Sequence, residues 1–147
     1  MRIVLGSDHA GYELKQAIIA HLRAQGHTVT DVGTDGTASC DYPDYAAPAC
    51  RAVIAGEAGR AILVCGSGIG ISIAANKIPG IRCAVVYNRE VARLAKEHND
   101  AQAIALGARF IAAAEALAMV DAWLGATFEA RHQRRIDKIT ALEPRAC

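Results

Sequence analysis

Residues 60–77 read Arg60-Ala61-Ile62-Leu63-Val64-Cys65-Gly66-Ser67-Gly68-Ile69-Gly70-Ile71-Ser72-Ile73-Ala74-Ala75-Asn76-Lys77. An unbroken apolar run, then three glycines, then a second apolar stretch predict a strand, a glycine loop and a short helix over Ile71 to Lys77. A strand without polar alternation is covered on both faces, which is the habit of parallel sheets. Outward from it, four more short runs rich in Ile, Val or Leu lie at Arg2–Gly6, Thr28–Val32, Arg82–Tyr87 and Gln102–Leu106. Helical patterns fill the gaps. The chain therefore predicts an α/β three-layer sandwich, a five-stranded parallel sheet with helices on both faces.

The first helix carries Leu14, Ile18 and Leu22 on one face, with Gly26 as a left-handed cap just past its end. Between Pro43 and Gly56, Pro43 suits a first helical position, whereas Pro48 predicts a late start or a kink. Further helices are expected at Arg89–His98, from about Arg109 to Leu124, and over 127–142. No linker, repeat or low-complexity segment interrupts the chain, so residues 1–147 are expected to form one domain with 127–142 as its C-terminal helix.

The 147 residues are 52% hydrophobic and 21% charged, the composition of a folded chain. Alanine occurs 31 times and aromatic residues make up only 5%, so close helix packing is expected, with which a buried subunit interface is compatible. A net charge of +1 leaves no basic field suited to nucleic acid, and no charge-free apolar run reaches membrane-spanning length. Asp8 comes too early for a signal peptide, which makes the cytoplasm the expected location. The cysteines at 40, 50, 65, 83 and 147 are odd in number and lack CxxC spacing, so free thiols are expected and no metal.

In an open parallel sheet, ligands sit beyond the carboxyl ends of the strands. Asp8 and His9 follow the first strand there: His9 could hydrogen-bond a phosphate and Asp8 could accept a proton or grip a sugar hydroxyl, or Asp8 could simply cap a helix beside a solvated His9. In Cys65-Gly66-Ser67-Gly68-Ile69-Gly70, converging backbone N–H groups and the start of the next helix could hold an anion or oxyanion. Cys65 at its rim is either a base or nucleophile, or an inert small hydrophobe. Ile71 occupies the third glycine position of a dinucleotide fingerprint, which weakens a nucleotide reading. Arg131 and Arg135, at i, i+4 on one helix face, could grip one phosphate or stay solvated. His98 and Asn99 end a helix, and Arg109 follows the fifth strand on the ligand side. His21, His27 and His132 have less to recommend them, though the arginine pair flanks His132.

These residues together resemble the B-type ribose-5-phosphate isomerases, within the group that also holds galactose-6-phosphate isomerase subunits. The resemblance rests on Gly6-Ser7-Asp8-His9-Ala10-Gly11, Asp41-Tyr42-Pro43, the run from Cys65 to Lys77, His98-Asn99-Asp100 and Arg131-His132-Gln133-Arg134-Arg135, and covers nearly the whole chain. It implies a Rossmann-like fold, a homodimer or dimer of dimers, and aldose–ketose isomerisation of a phosphorylated sugar without metal or organic cofactor. It puts the catalytic base at Cys65 and the ring-opening acid at His98. Substrate contacts fall on Asp8, His9, Gly66, Ser67, Gly68, Ile69, Gly70, Asn99, Arg109, Arg131 and Arg135. Some members use a glutamate six residues beyond the cysteine position; Ile71 stands there, so the chain is similar to the cysteine type. Ser67 stands where several relatives have threonine.

Alternatives are an isomerase of a hexose 6-phosphate such as allose or galactose phosphate, a non-catalytic sugar-phosphate binder, and a nicotinamide-dependent oxidoreductase. Retention of both Cys65 and His98 argues against the binder, and the broken fingerprint against the oxidoreductase. Cys65 is expected at the carboxyl edge of the sheet and His98 near the opposite edge. The two would then meet only across a dimer interface.

Overall fold

Five parallel strands stand in the order β2-β1-β3-β5-β4. They are β1 (Arg2–Ser7), β2 (Thr28–Asp31), β3 (Arg60–Cys65), β4 (Cys83–Val85) and β5 (Ala103–Gly107). The computed structural model describes residues 1–144, so Cys147 and the end of the expected domain lie outside the described residues. The helices are α1 (Tyr12–Ala24), α2 (Pro43–Ile54), α3 (Ile69–Ala75), α4 (Arg89–Glu97), α5 (Ala113–Gly125) and α6 (Gln133–Thr140), with 3₁₀ turns at His9–Gly11 and Ala130–His132. Among the described residues, no helix is long and apolar enough to cross a membrane.

The sheet separates two cores. On one face α1, α4 and α5 bury Leu14, Ile18, Leu22, Ala92, Met119 and Trp123 against Ile3, Leu5, Ile62 and Ile104. On the other, α2 and α3 bury Ala46, Ala49, Cys50, Ile71 and Ala75 against Val4, Leu63 and Ala105. Alternate residues of each strand thus go to opposite faces, which explains the unbroken apolar runs. Truncating a fully buried residue such as Leu22 to alanine would cost about 2–5 kcal/mol.

Helix α1 ends as expected: Gly26 takes φ +83°, Gly26 N–H donates to Arg23 O and His27 N–H donates to Leu22 O. Helix α2 starts at Pro43 and runs through Pro48, so the late start is not found; the ring forgoes a single backbone donor. Helix α3 begins at Ile69, two residues before its expected start. Helix α5 begins only at Ala113, because Arg109 and Phe110 form a turn in which Arg109 N–H donates to Gly66 O at 3.1 Å. The last helix is also shorter than 127–142: Glu129 N–H donates to Glu97 O at 2.8 Å, tying an extended segment to the end of α4 before the chain turns at Ala130–His132.

Candidate active site

Strand register brings the first group of candidates together. Ser7 pairs with Val64 and Cys65 with Gly107, so β1, β3 and β5 end side by side and project Asp8, the 66–70 loop and Arg109 from one edge. Asp8 is buried, and its Oδ1 accepts the Gly11 N–H at 3.1 Å, a cap that uses one carboxylate oxygen. His9 Nδ1 lies 3.2 Å from Cys40 N and 3.3 Å from Cys40 O, so the Cys40 backbone holds the ring through this nitrogen.

Cys65 is 3% exposed, and the Gly68 N–H donates to its Sγ at 3.1 Å. A donor therefore points at the place where a thiolate would carry its charge. Gly68 holds φ +78°, in the left-handed region, and a Cβ there would lie 3.0 Å from the Leu106 carbonyl carbon. Ser67 Oγ accepts the Ile69 N–H at 3.2 Å. The Arg109 guanidinium lies over Gly66, with Nη1 3.0 Å from where a Cβ would be.

Four residues near this edge were not among the expected site residues. The Tyr42 ring lies across Gly70, its Cζ 2.5 Å from the position of an added Cβ. Thr34 N–H donates to Ser7 O at 3.0 Å, and Cys40 touches His9. Tyr45 is linked to the same two, its phenol held above the ordinary range chiefly by hydrogen bonding to the Cys40 side chain. The 32–42 loop has no periodicity from which such contacts could be read; the Asp41-Tyr42-Pro43 motif was the available signal.

The second group stands at the other edge. His98 caps α4 at its carboxyl end, and Arg82, just before β4, donates through Nε to Asn99 O at 2.8 Å and through Nη2 to Asp100 O at 2.9 Å. Asp100 takes φ +43°, so the His98–Asp100 turn is a tight left-handed one. The His132 ring packs on that of His98 with centroids 4.2 Å apart and planes at 34°. Arg131 and Arg135 do not share one α-helical face: Arg131 lies in the 3₁₀ turn and grips Glu129 at 2.7 Å through Nε, whereas Arg135 lies in α6 and its Nη1 donates to His132 Nδ1 at 3.0 Å. The burial of His132 forces this turn.

The structure thus brings Asp8, His9, Cys65, Gly66, Ser67, Gly68, Ile69, Gly70 and Arg109 to one edge and His98, Asn99, Arg131 and Arg135 to the other. The five residues of β5 at about 3.3 Å each keep the groups on the order of 16 Å apart. The cavity of about 720 Å³ beside Asn99, Arg82 and Cys83 is likewise at the second edge, away from Cys65.

Burial holds His132 below the ordinary histidine range, and the charges of Arg131, His98 and Arg135 push the same way. Glu129 is held below the usual carboxylate range chiefly by its hydrogen bond from Arg131. His98, Glu129 and His132 offer ligand-type atoms within 4.8 Å of one another. Guanidinium groups already hold two of the three, so the cluster is poorly suited to a metal ion.

The ribose-5-phosphate isomerase B of Escherichia coli K12 is 47% identical over 145 residues, covering 98% of this chain and 97% of the relative. A solved ribose-5-phosphate isomerase B from Clostridium thermocellum superposes with a TM-score of 0.95 at 50% identity, covering 97% of both chains. Another, from Mycoplasma genitalium with bound ribulose-5-phosphate, has a TM-score of 0.93 at 38% identity, covering 99% of this chain and 97% of its own. With residues 3–139 matching the Ribose/Galactose Isomerase family, and these relatives matching nearly end to end, the chain belongs to that family.

Proposed function

We propose that the protein is a ribose-5-phosphate isomerase, a single domain that contributes half of each of two sites in a homodimer. The observation that carries the reading is the separation of Cys65, with the Gly68 N–H on its sulfur, from His98 on the far edge of the same sheet. A partner with its sheet reversed would supply His98, Asn99, Arg131 and Arg135 to the Cys65 half-site. Exposed Ile69 and Ile73 on α3, with Ile54 on α2, give such a partner an apolar face.

Ribose 5-phosphate arrives as a furanose. His98 gives a proton to the ring oxygen while the anomeric hydroxyl passes its own to solvent water, from which His98 is reprotonated, opening the ring to the aldehyde. Cys65 as thiolate removes the C2 proton; the electron pair forms the C1–C2 double bond and the carbonyl π electrons move to O1. The loop amides of Gly66 to Gly70 favour the resulting enediolate. Cys65 returns its proton to C1, and the O2 proton passes to O1 as the C2 carbonyl of ribulose 5-phosphate forms. Arg109, His9 and the partner's Arg131 and Arg135 hold the phosphate, and Asp8 and Asn99 the sugar hydroxyls. None of these steps calls for a metal or organic cofactor. Free thiols at Cys40, Cys50, Cys65 and Cys83 suit a reducing cytoplasm.

Subunit exchange tests the shared site. Cys65→Ala and His98→Ala proteins are each expected to keep only a small residual turnover of ribose 5-phosphate. A mixed dimer holds one site with both lesions and one with neither, and should recover up to about half the parent activity per dimer. No recovery after proven exchange would place both residues in one subunit's site. Parallel assays with allose and galactose 6-phosphates set the sugar; a binder without catalysis would turn over none of the three.

A further inference from the structure

His132 stands behind the proposed acid. It is 6% exposed and its Nε2 is buried without a hydrogen-bond partner, 3.7 Å from Glu129 Oε2. An aromatic polar side chain is costly to bury incompletely satisfied, so packing must compensate. The compensating contact is the ring of His98, which is half-exposed and, among the described residues, makes no hydrogen bond of its own.

Arginine only donates, so the Arg135 Nη1 contact at 3.0 Å requires a lone pair on His132 Nδ1. His132 is therefore the neutral tautomer with its proton on Nε2. A second proton would have to displace Arg135 and face Arg131 as well, with Glu129 alone opposing them. Of the two packed imidazoles, only that of His98 has both ring nitrogens without a hydrogen-bond partner among the described residues. The groups facing it are Glu90 from its own helix, and Glu129 and His132 from the segment packed across its end.

We propose that His132 is the positioning residue of the ring-opening step, fixing the His98 imidazole by ring-on-ring packing while Arg135 keeps His132 itself neutral. The inference rests on the reading of His98 as the ring-opening acid. It extends the Arg135 role as well, since the residue assigned to the phosphate also sets the form of the ring that supports the acid.

Two readouts separate ring opening from the enediolate step. Ribose 5-phosphate turnover needs both. Exchange of the C1 hydrogen of ribulose 5-phosphate with solvent deuterium needs only the base, because a ketopentose with a phosphorylated O5 cannot close a furanose. His132→Ala should lower kcat for ribose 5-phosphate by about tenfold or more while exchange stays within about twofold, since a misplaced catalytic group loses rate at its own step. His132→Phe, which restores a flat ring, should recover aldose turnover to within about threefold of the parent. The His98→Ala/His132→Ala double variant should be no slower than His98→Ala alone.

Equal losses in both readouts, unchanged aldose turnover, or a double variant well below His98→Ala would each overturn the inference. If the alanine protein does not fold, His132→Asn, which keeps an acceptor for Arg135 but no ring, must show the same selective loss. The His98→Ala control separates the two levels. If it loses deuterium exchange as deeply as aldose turnover, the ring-opening reading of His98 fails. If it is selective and His132→Ala matches the parent, only the role of His132 falls.

Discussion

Lys15→Met removes one ammonium group on which the turn after β2 depends. Lys15 is fully buried, and its Nζ donates to both Asp31 carboxylate oxygens at 2.8 Å and to Thr34 O at 2.6 Å. Methionine fills much of the same stem, so the loss is electrostatic. Thr34, 8% exposed, would lose the donor on its carbonyl, while Asp31 would keep the Gly33 N–H at 2.9 Å. Breaking a buried pair costs about 3–5 kcal/mol. The Asp31 side chain is 28% exposed, so water takes up part of its charge and about 2–4 kcal/mol is expected. Urea denaturation at fixed protein concentration, followed by Trp123 fluorescence, should show a lower midpoint with an unchanged slope. Because Thr34 N–H is bonded to Ser7 O beside Asp8, KM should rise too. A loss below about 0.5 kcal/mol, or a Lys15→Met/Asp31→Leu protein no more stable than additivity predicts, would refute the argument.

Gly68→Ala forces a Cβ into the left-handed region, which costs about 1–2 kcal/mol, and drives it against the Leu106 carbonyl carbon. We expect a folded protein with kcat reduced at least about tenfold as the Cys65 donor shifts; parent kinetics would contradict the assigned loop. Burial pushes the Cys50 thiol up to about 11 and raises Cys83 further, so brief iodoacetamide treatment at pH 8 should leave both largely unmodified, as peptide mapping would show; fast labelling of Cys50 would be inconsistent with its place on the buried face of α2. His132, held below the ordinary range when folded, binds a proton more readily in the unfolded chain. Its contribution is complete above the unfolded value of about 6.5 and declines as pH falls through it, until the folded value is passed. Denaturation midpoints of His132→Phe should vary less between pH 7 and 5 than those of the parent.

The sheet was legible because its three central strands are apolar on both sides and end at turn residues; β3 spans the residues expected, Arg60 to Cys65. The errors lie where distant contacts override local pattern. Nothing near Arg109 tells that its N–H will bond to Gly66 O and hold α5 back to Ala113. The evenly spaced arginines of 131–135 suggest one helix, but the burial of His132 against His98 breaks it into a 3₁₀ turn and α6. The gathering of Asp8, the 66–70 loop and Arg109 beside Cys65 could be read from strand ends and glycines, and the far position of His98 from the direction of α4. Arg82 and His132 could not, because each acts through a residue remote in sequence.

Asn76 has a consequence for how copies of the chain can associate. Its Nδ2 donates to Cys83 O at 2.9 Å and its Oδ1 accepts the Cys83 N–H at 2.8 Å, on the outermost strand. A side-chain amide thereby fills the slot at which an incoming strand would begin to zip onto the rim. Growth of the sheet past β4 would first have to evict Asn76, exchanging two short-range bonds for a pairing that must be nucleated between molecules. Open-ended extension of the sheet past this rim, which would have no natural stopping point, is thereby disfavoured.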